Sequence, residues 1–119
     1  MERDVCRVLI VEDDDNVQQL LRTIVSKTCV TLDVAGDGER AIEMLQASPY
    51  DVVLLDLMLP IKNGFEVAQA IAALPRQPRV IVLSAIANYS RESFPSDTVV
   101  LQKPFDVDQL TAVLRRAIV

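Results

Sequence analysis

The sequence predicts a single α/β domain whose sheet is open, parallel and doubly wound. Two observations carry that expectation, and a third places the chemistry. Short unbroken runs of β-branched and aliphatic residues recur along the chain, as in strands covered on both faces. Between them lie segments with apolar residues at helical spacing, and strand–helix alternation of this kind implies parallel strands joined by right-handed crossovers. Polar residues, several of them acidic, follow directly where the strands end.

The first strand runs from Arg7 to Val11 and ends in Val8-Leu9-Ile10-Val11. In the helix after it, Val17, Leu20, Leu21, Ile24 and Val25 share one face, and Asp15 with Gln18 makes a capping pair at its start. Val30 to Ala35 alternates instead, with Val30, Leu32 and Val34 on one side, the pattern of an edge strand. Ala41, Ile42 and Leu45 mark a second helix, stopped before Ser48-Pro49. The third strand is Val52-Val53-Leu54-Leu55, followed by a helix marked by Val67, Ala68 and Ile71 and stopped before Pro75. Val80-Ile81-Val82-Leu83 and Val99-Val100-Leu101 are the fourth and fifth strands. Between these two, Ala85 to Asp97 is rich in Ser and contains Pro95, which leaves room for a turn or two of helix at most. The fourth helix is therefore expected to be short or irregular. Val107, Leu110, Val113, Leu114 and Ile118 mark the closing helix, where Asp106 and Gln109 repeat the capping pattern.

Composition narrows the function. The 119 residues suit one domain, 1–119, and no linker, repeat or low-complexity stretch divides them. Seventeen acidic against twelve basic residues leave a net charge of −5, which argues against direct nucleic-acid binding by this domain. Histidine is absent, so Ser-His-Asp and Cys-His nucleophile systems, His-ligated zinc and a phosphohistidine carrier are excluded. Cys6 and Cys29 form no C-x-x-C pair and sit among apolar residues, as core cysteines do. No apolar run approaches the ~20 residues of a membrane span, and the start of the chain is unlike a signal peptide. A cytoplasmic protein without membrane contact is expected.

In open parallel sheets, ligands bind beyond the carboxyl ends of the strands, where strand order reverses. Here the first strand leads into Glu12-Asp13-Asp14, the third into Asp56, the fourth into Ser84 and the fifth into Lys103. An order 2-1-3-4-5 would make strands one and three flank the reversal and bring their carboxylates together. Taken singly, each residue has a plainer role: Asp56 a turn former, Asp14 and Asp15 cap or first-turn residues, Ser84 a loop hydroxyl, Lys103 a solvated cation. Their conjunction points elsewhere. Carboxylates at ~4 Å repel by roughly 4 kcal/mol per pair at an effective dielectric near 20. Such a cluster must protonate or bind a cation, and an all-oxygen donor set selects a hard ion such as Mg²⁺. A cation, an ammonium and a hydroxyl facing one carboxylate make a phosphoryl-transfer site, with that carboxylate as nucleophile and an aspartyl phosphate as product.

The chain resembles the response-regulator receiver domains of the CheY-like family along essentially its whole length. The match is carried by Val8-Leu9-Ile10-Val11-Glu12-Asp13-Asp14, Asp51 to Pro60, Asn63-Gly64, Ser84-Ala85 and Lys103-Pro104-Phe105. The resemblance implies a flavodoxin-like five-stranded parallel sheet in the order 2-1-3-4-5 with helices on both faces. It implies that Asp56 is the phosphoacceptor, Asp13 a direct Mg²⁺ ligand, Glu12 a ligand acting largely through water, and the backbone carbonyl of Met58 a further ligand. Ser84 would stand at the switch position and Lys103 at the lysine position, with a cis bond to Pro104. Gly64 would end the loop after Asp56 with a positive φ. A partner histidine kinase or phosphotransfer protein would supply the phosphoryl group, and an effector domain or downstream protein would read the result. Homodimerisation is compatible with this. The domain would not be an enzyme beyond catalysing its own phosphorylation and dephosphorylation.

The sequence departs from the family pattern in two places. Val100 occupies the slot where an aromatic residue usually couples to the switch hydroxyl, and the nineteen positions from Ser84 to Lys103 are short by roughly one helical turn. Met58 and Ile86, two residues beyond Asp56 and Ser84, are apolar, so neither can orient an attacking water, and a long-lived phosphorylated form is expected. The competing reading is a pseudo-receiver, an interaction module that signals without phosphorylation. A haloacid-dehalogenase-type phosphatase wants a second Asp where Met58 stands, and a flavin binder wants a phosphate loop that does not follow the first strand.

Overall fold

In the computed structural model, residues 6–27, 31–59, 61, 63–84 and 98–118 are described. The elements alternate as β1 (Arg7–Val11), α1 (Asp15–Val25), β2 (Thr31–Ala35), α2 (Gly38–Ala47), β3 (Val52–Asp56), α3 (Gly64–Ala72), β4 (Arg79–Ser84), β5 (Val99–Gln102) and α4 (Val107–Ile118). The five strands form one parallel sheet in the order β2-β1-β3-β4-β5, as expected from the sequence. The expectations for Cys29, for Val30, for a short or irregular fourth helix and for Ile86 fall outside the described residues.

Alternation along the strands divides the core in two. Leu9 and Val11 of β1, Val53 and Leu55 of β3, and Val80 and Val82 of β4 meet Ala41 and Leu45 of α2 and Val67, Ala68 and Ile71 of α3. The intervening residues, Val8, Ile10, Val52, Leu54, Ile81 and Leu83, meet Leu21, Ile24 and Val25 of α1 and Leu110 and Leu114 of α4. The sheet is therefore covered on both faces, and the fully buried β3 lies at its centre. Cys6 belongs to the second of these cores, as its apolar setting implied. β5 differs from the reading of its sequence. Its edge position is the one the expected order implies, but its run of Val99-Val100-Leu101 suggested cover on both faces, and Val99 is 40% exposed.

The helices begin where side chains satisfy their first N–H groups. Asp14, not the Asp15–Gln18 pair, caps α1: its carboxylate accepts from Val17 N at 3.0 Å, while Asp15 lies in the first turn. Asp37 caps α2 in the same way. Asn63 and Glu66 make a reciprocal capping box at α3. Asp106 and Gln109 bond each other's backbone N–H groups at α4, as their spacing suggested. Among the described residues no helix is long and apolar enough to cross a membrane.

A polar group joins β2 to the starts of β1 and β3. The buried Tyr50 hydroxyl donates to Asp33 Oδ2 at 2.7 Å, and Arg7 stacks over the Tyr50 ring at 5.0 Å while pairing with Asp33. Burial, then the bond to the Asp33 carboxylate, pushes the phenol up to about 12. A folded-state value above the ordinary one means that the stabilisation is complete below pH 10 and is lost as pH rises through 12. Tyr50→Phe is thus expected to lower stability by about 1 kcal/mol at neutral pH. Urea midpoints measured from pH 7 to 12 should show the difference from wild type shrinking only above pH 10.

Candidate functional site

The parallel register brings the polar ends of four strands to one edge of the sheet. Val11 pairs with Leu55, Asp56 with Leu83, and Ser84 with Gln102, so the residues that follow or close β1, β3, β4 and β5 converge. Glu12 and Asp56 are buried to 1% and 4% exposure, whereas Asp13 is exposed. One carboxylate oxygen from each of Glu12, Asp13 and Asp56 lies within 4.8 Å of the others.

Lys103 bridges the two buried acids. Its Nζ donates to Asp56 Oδ2 at 3.0 Å and to Glu12 Oε1 at 3.2 Å. The remaining oxygens follow a common rule: Asp56 Oδ1 accepts from Met58 N at 3.0 Å, and Glu12 Oε2 accepts from Asp14 N at 3.2 Å. Each buried carboxylate is thus held at one oxygen by the ammonium and at the other by a backbone N–H two residues on. Burial would by itself lower the Lys103 ammonium, but the bond and charge of Asp56, then of Glu12, outweigh it and hold it above the ordinary lysine range. Burial, and secondarily the charge of Asp56, raises Glu12 against the pull of the Asp14 N–H and of Lys103.

Among the described residues one ammonium stands beside the three carboxylates, bonded to two of them, so negative charge exceeds positive by two. That is the charge of one divalent cation, and the donor set is oxygen only, as hard cations require. The residues present therefore fit a divalent ion. Ser84 is buried at the end of β4, and its backbone carbonyl accepts from Lys103 N at 2.7 Å, so the serine and the lysine are fixed to each other through the main chain. The Lys103–Pro104 bond is cis, as expected. Met58 is exposed and lines an open cleft with Asp13, Leu59 and Asn63. Val100, at the slot where an aromatic residue was looked for, is partly buried against the core under α2 and α3.

The sequence model of the response regulator receiver domain matches residues 8–115. The chain belongs to that family. The receiver is 31% identical over 111 residues to the response regulator ArlR of Staphylococcus epidermidis, covering 91% of this chain and 50% of ArlR. ArlR of Staphylococcus aureus is 30% identical over 112 residues, with 92% and 51% covered. The chain thus spans about half the length of these curated relatives. Among solved structures, the receiver domain of the Francisella response regulator 1452 superposes with a TM-score of 0.81 at 28% identity, covering 95% of this chain and 96% of that one. TrrA of Thermotoga maritima, solved in complex with Mg²⁺–BeF, gives a TM-score of 0.81 at 28% identity, with 94% and 98% covered. The receiver domain of the sensor histidine kinase PA1611 of Pseudomonas aeruginosa, solved with a magnesium ion in its active-site cleft, gives 0.82 at 25% identity, with 96% and 98% covered.

Several residues that shape the receiver's site carried no signal in the sequence. Gln18, read as a capping partner, instead donates its side-chain amide to the backbone carbonyl of Glu12. Gly64 does not adopt the positive φ expected of it; the positive value belongs to Ile61, at 68°. What Gly64 supplies is space. A Cβ there would lie 2.6 Å from Leu57 Cα and 2.9 Å from Asp56 O, so the start of α3 can press against the backbone that carries Asp56 only without a side chain. Gly64 N also donates to Leu57 O at 3.0 Å.

Gly64→Ala should force that backbone apart and destabilise the receiver by roughly 2 kcal/mol or more. Urea denaturation measures this directly, and Asp56 and Leu57 amide signals should move most in the folded variant. Ile61 is a β-branched residue in the left-handed region and is 71% exposed, so Ile61→Asn should stabilise by about 0.5–1 kcal/mol in the same assay.

Proposed function

We propose that this receiver accepts a phosphoryl group on Asp56 from a phosphohistidine presented by a histidine kinase or phosphotransfer protein. The observation that carries the reading is the Lys103 bridge, a cation held at hydrogen-bond distance from a buried carboxylate that also borders two further acids. An oxygen of Asp56 attacks phosphorus, the P–N bond to the donor's imidazole breaks, and the imidazole leaves with its electron pair and takes up a proton from solvent. Lys103 then donates to a phosphoryl oxygen in place of the bare carboxylate, and the Ser84 hydroxyl donates to another. The Met58 N–H, bonded to Asp56 Oδ1, keeps the carboxylate aimed during the approach.

Glu12, Asp13, Asp56 and the Met58 carbonyl would hold Mg²⁺, and the two magnesium-bearing receiver structures among the relatives support that assignment. When bound, the ion offsets negative charge on the oxygens of the group in transfer. The chain, residues 1–119, works as one domain that alters only itself, in the cytoplasm, and its output is a contact with an effector domain or another protein. Homodimerisation is one form that this contact could take.

Incubation with Mg²⁺ and acetyl phosphate should add one phosphoryl group to the intact protein, read by mass spectrometry. The adduct should vanish in Asp56→Asn and in excess EDTA, and form at least 100-fold more slowly in Lys103→Ala. No adduct under these conditions would favour instead a receiver that signals without phosphorylation, a reading to which the valine at position 100 lends weight. Met58 offers no group to orient water over the phosphorylated site, so Met58→Asn should shorten the lifetime of the adduct by roughly tenfold. A time course of phosphate release measures it.

A further inference from the structure

We propose that Gln18 is a positioning residue for Glu12 and Asp13 and sets the affinity of the acidic site for a divalent cation; the inference rests on the reading of that site as a magnesium site. Gln18 is half-buried near the start of α1, and its side-chain amide turns back, away from the helix, to donate to the backbone carbonyl of Glu12. That carbonyl belongs to the peptide unit joining the two acids. The unit is planar, so holding its oxygen also holds the N–H of Asp13 and the Cα from which the Asp13 carboxylate projects.

The two acids need this brace unequally. Glu12 is buried, its N–H donates to Ala35 O at 3.1 Å, and its carboxylate is bonded at both oxygens. Asp13 is exposed, so the packing that locks Glu12 does little for it. The amide that steadies Asp13 is confined in turn. The backbone N–H of Gln18 donates to Asp14 O at 2.9 Å, and its side-chain nitrogen lies 3.9 Å from where a Cβ would sit on Gly36, in the turn after β2. Gln18 thus holds the turn that follows β1 and lies beside the turn that follows β2. Gln18 touches no ligand itself; it acts through the backbone it holds. Removing groups that orient a metal ligand in this way typically lowers metal affinity 10- to 100-fold.

Titration of the purified protein with Mg²⁺, followed through the backbone amide signals of Asp56 and Leu57, tests this. Gln18→Leu should weaken Mg²⁺ binding at least tenfold while the urea midpoint in EDTA stays near that of wild type. Gln18→Asn, which keeps a neutral amide donor on a shorter arm, should weaken binding less than Gln18→Leu does, as a hydrogen-bonding role requires and a packing role does not. Gln18→Met, unbranched and compatible with a helix, makes the same test should Gln18→Leu not fold. A Gln18→Leu or Gln18→Met affinity within about twofold of wild type overturns the inference and leaves the magnesium site standing. A wild-type protein that binds no Mg²⁺ overturns the site itself, and this inference with it.

Discussion

Two carboxylates buried side by side need a positive charge between them, and in this domain Lys103 supplies it. Glu12 and Asp56 leave water almost completely, and each unpaired charge so placed would be worth several kcal/mol against folding. The bridge at 3.0 and 3.2 Å, with a backbone N–H on each remaining oxygen, makes their burial tolerable. It also dictates much of the architecture around it. Three strand ends arrive at one point from chain positions 91 and 47 residues away from the lysine, and a sheet with β1 and β3 adjacent and β4 and β5 beyond them brings them there. The tight contact of Gly64 with Asp56 and Leu57, and the bond from Lys103 N to Ser84 O, hold the same point from two further directions.

How far the chain could be read before folding depends on what kind of signal each residue leaves. Buried strands leave a loud one, because covering both faces demands uninterrupted aliphatic residues. β1, β3 and β4 were therefore legible to within a residue or two, and the strand order came with the family resemblance. The members of the site were legible for the same reason: Glu12, Asp13, Asp56, Ser84 and Lys103 each interrupt or follow such a run. The burial of β5 was harder to read. β5 carries the composition of a buried strand and is half-exposed, since hydrophobicity alone does not say how completely a strand at the rim is covered.

The residues that support the site were nearly silent. Gln18 sits at the spacing of a capping partner, and nothing local distinguishes an amide that bonds Asp15 from one that reaches back to Glu12; the distinction is made by Asp14 taking the cap. A glycine after a strand suggests an unusual φ, but its missing side chain can equally serve a close approach. Only the position of Leu57 relative to α3 decides for the latter at Gly64. Likewise, the link between Tyr50 and Asp33 joins residues 17 apart whose partnership exists only once β2 and β3 flank β1. Side chains that do chemistry are selected as types and show in a single sequence. Those that hold them are selected as geometries and do not.

The half-exposed β5 has a consequence for how the domain can communicate. Lys103 is the residue next after this edge strand, and its main-chain N–H closes the last rung between β5 and β4. The charge that balances Asp56 is therefore anchored to the one strand on that side with a neighbour on a single flank. A displacement of β5 along its rung is at the same time a displacement of the ammonium from its carboxylates. In this construction mechanical load on the rim of the sheet and electrostatic load at its centre are one variable.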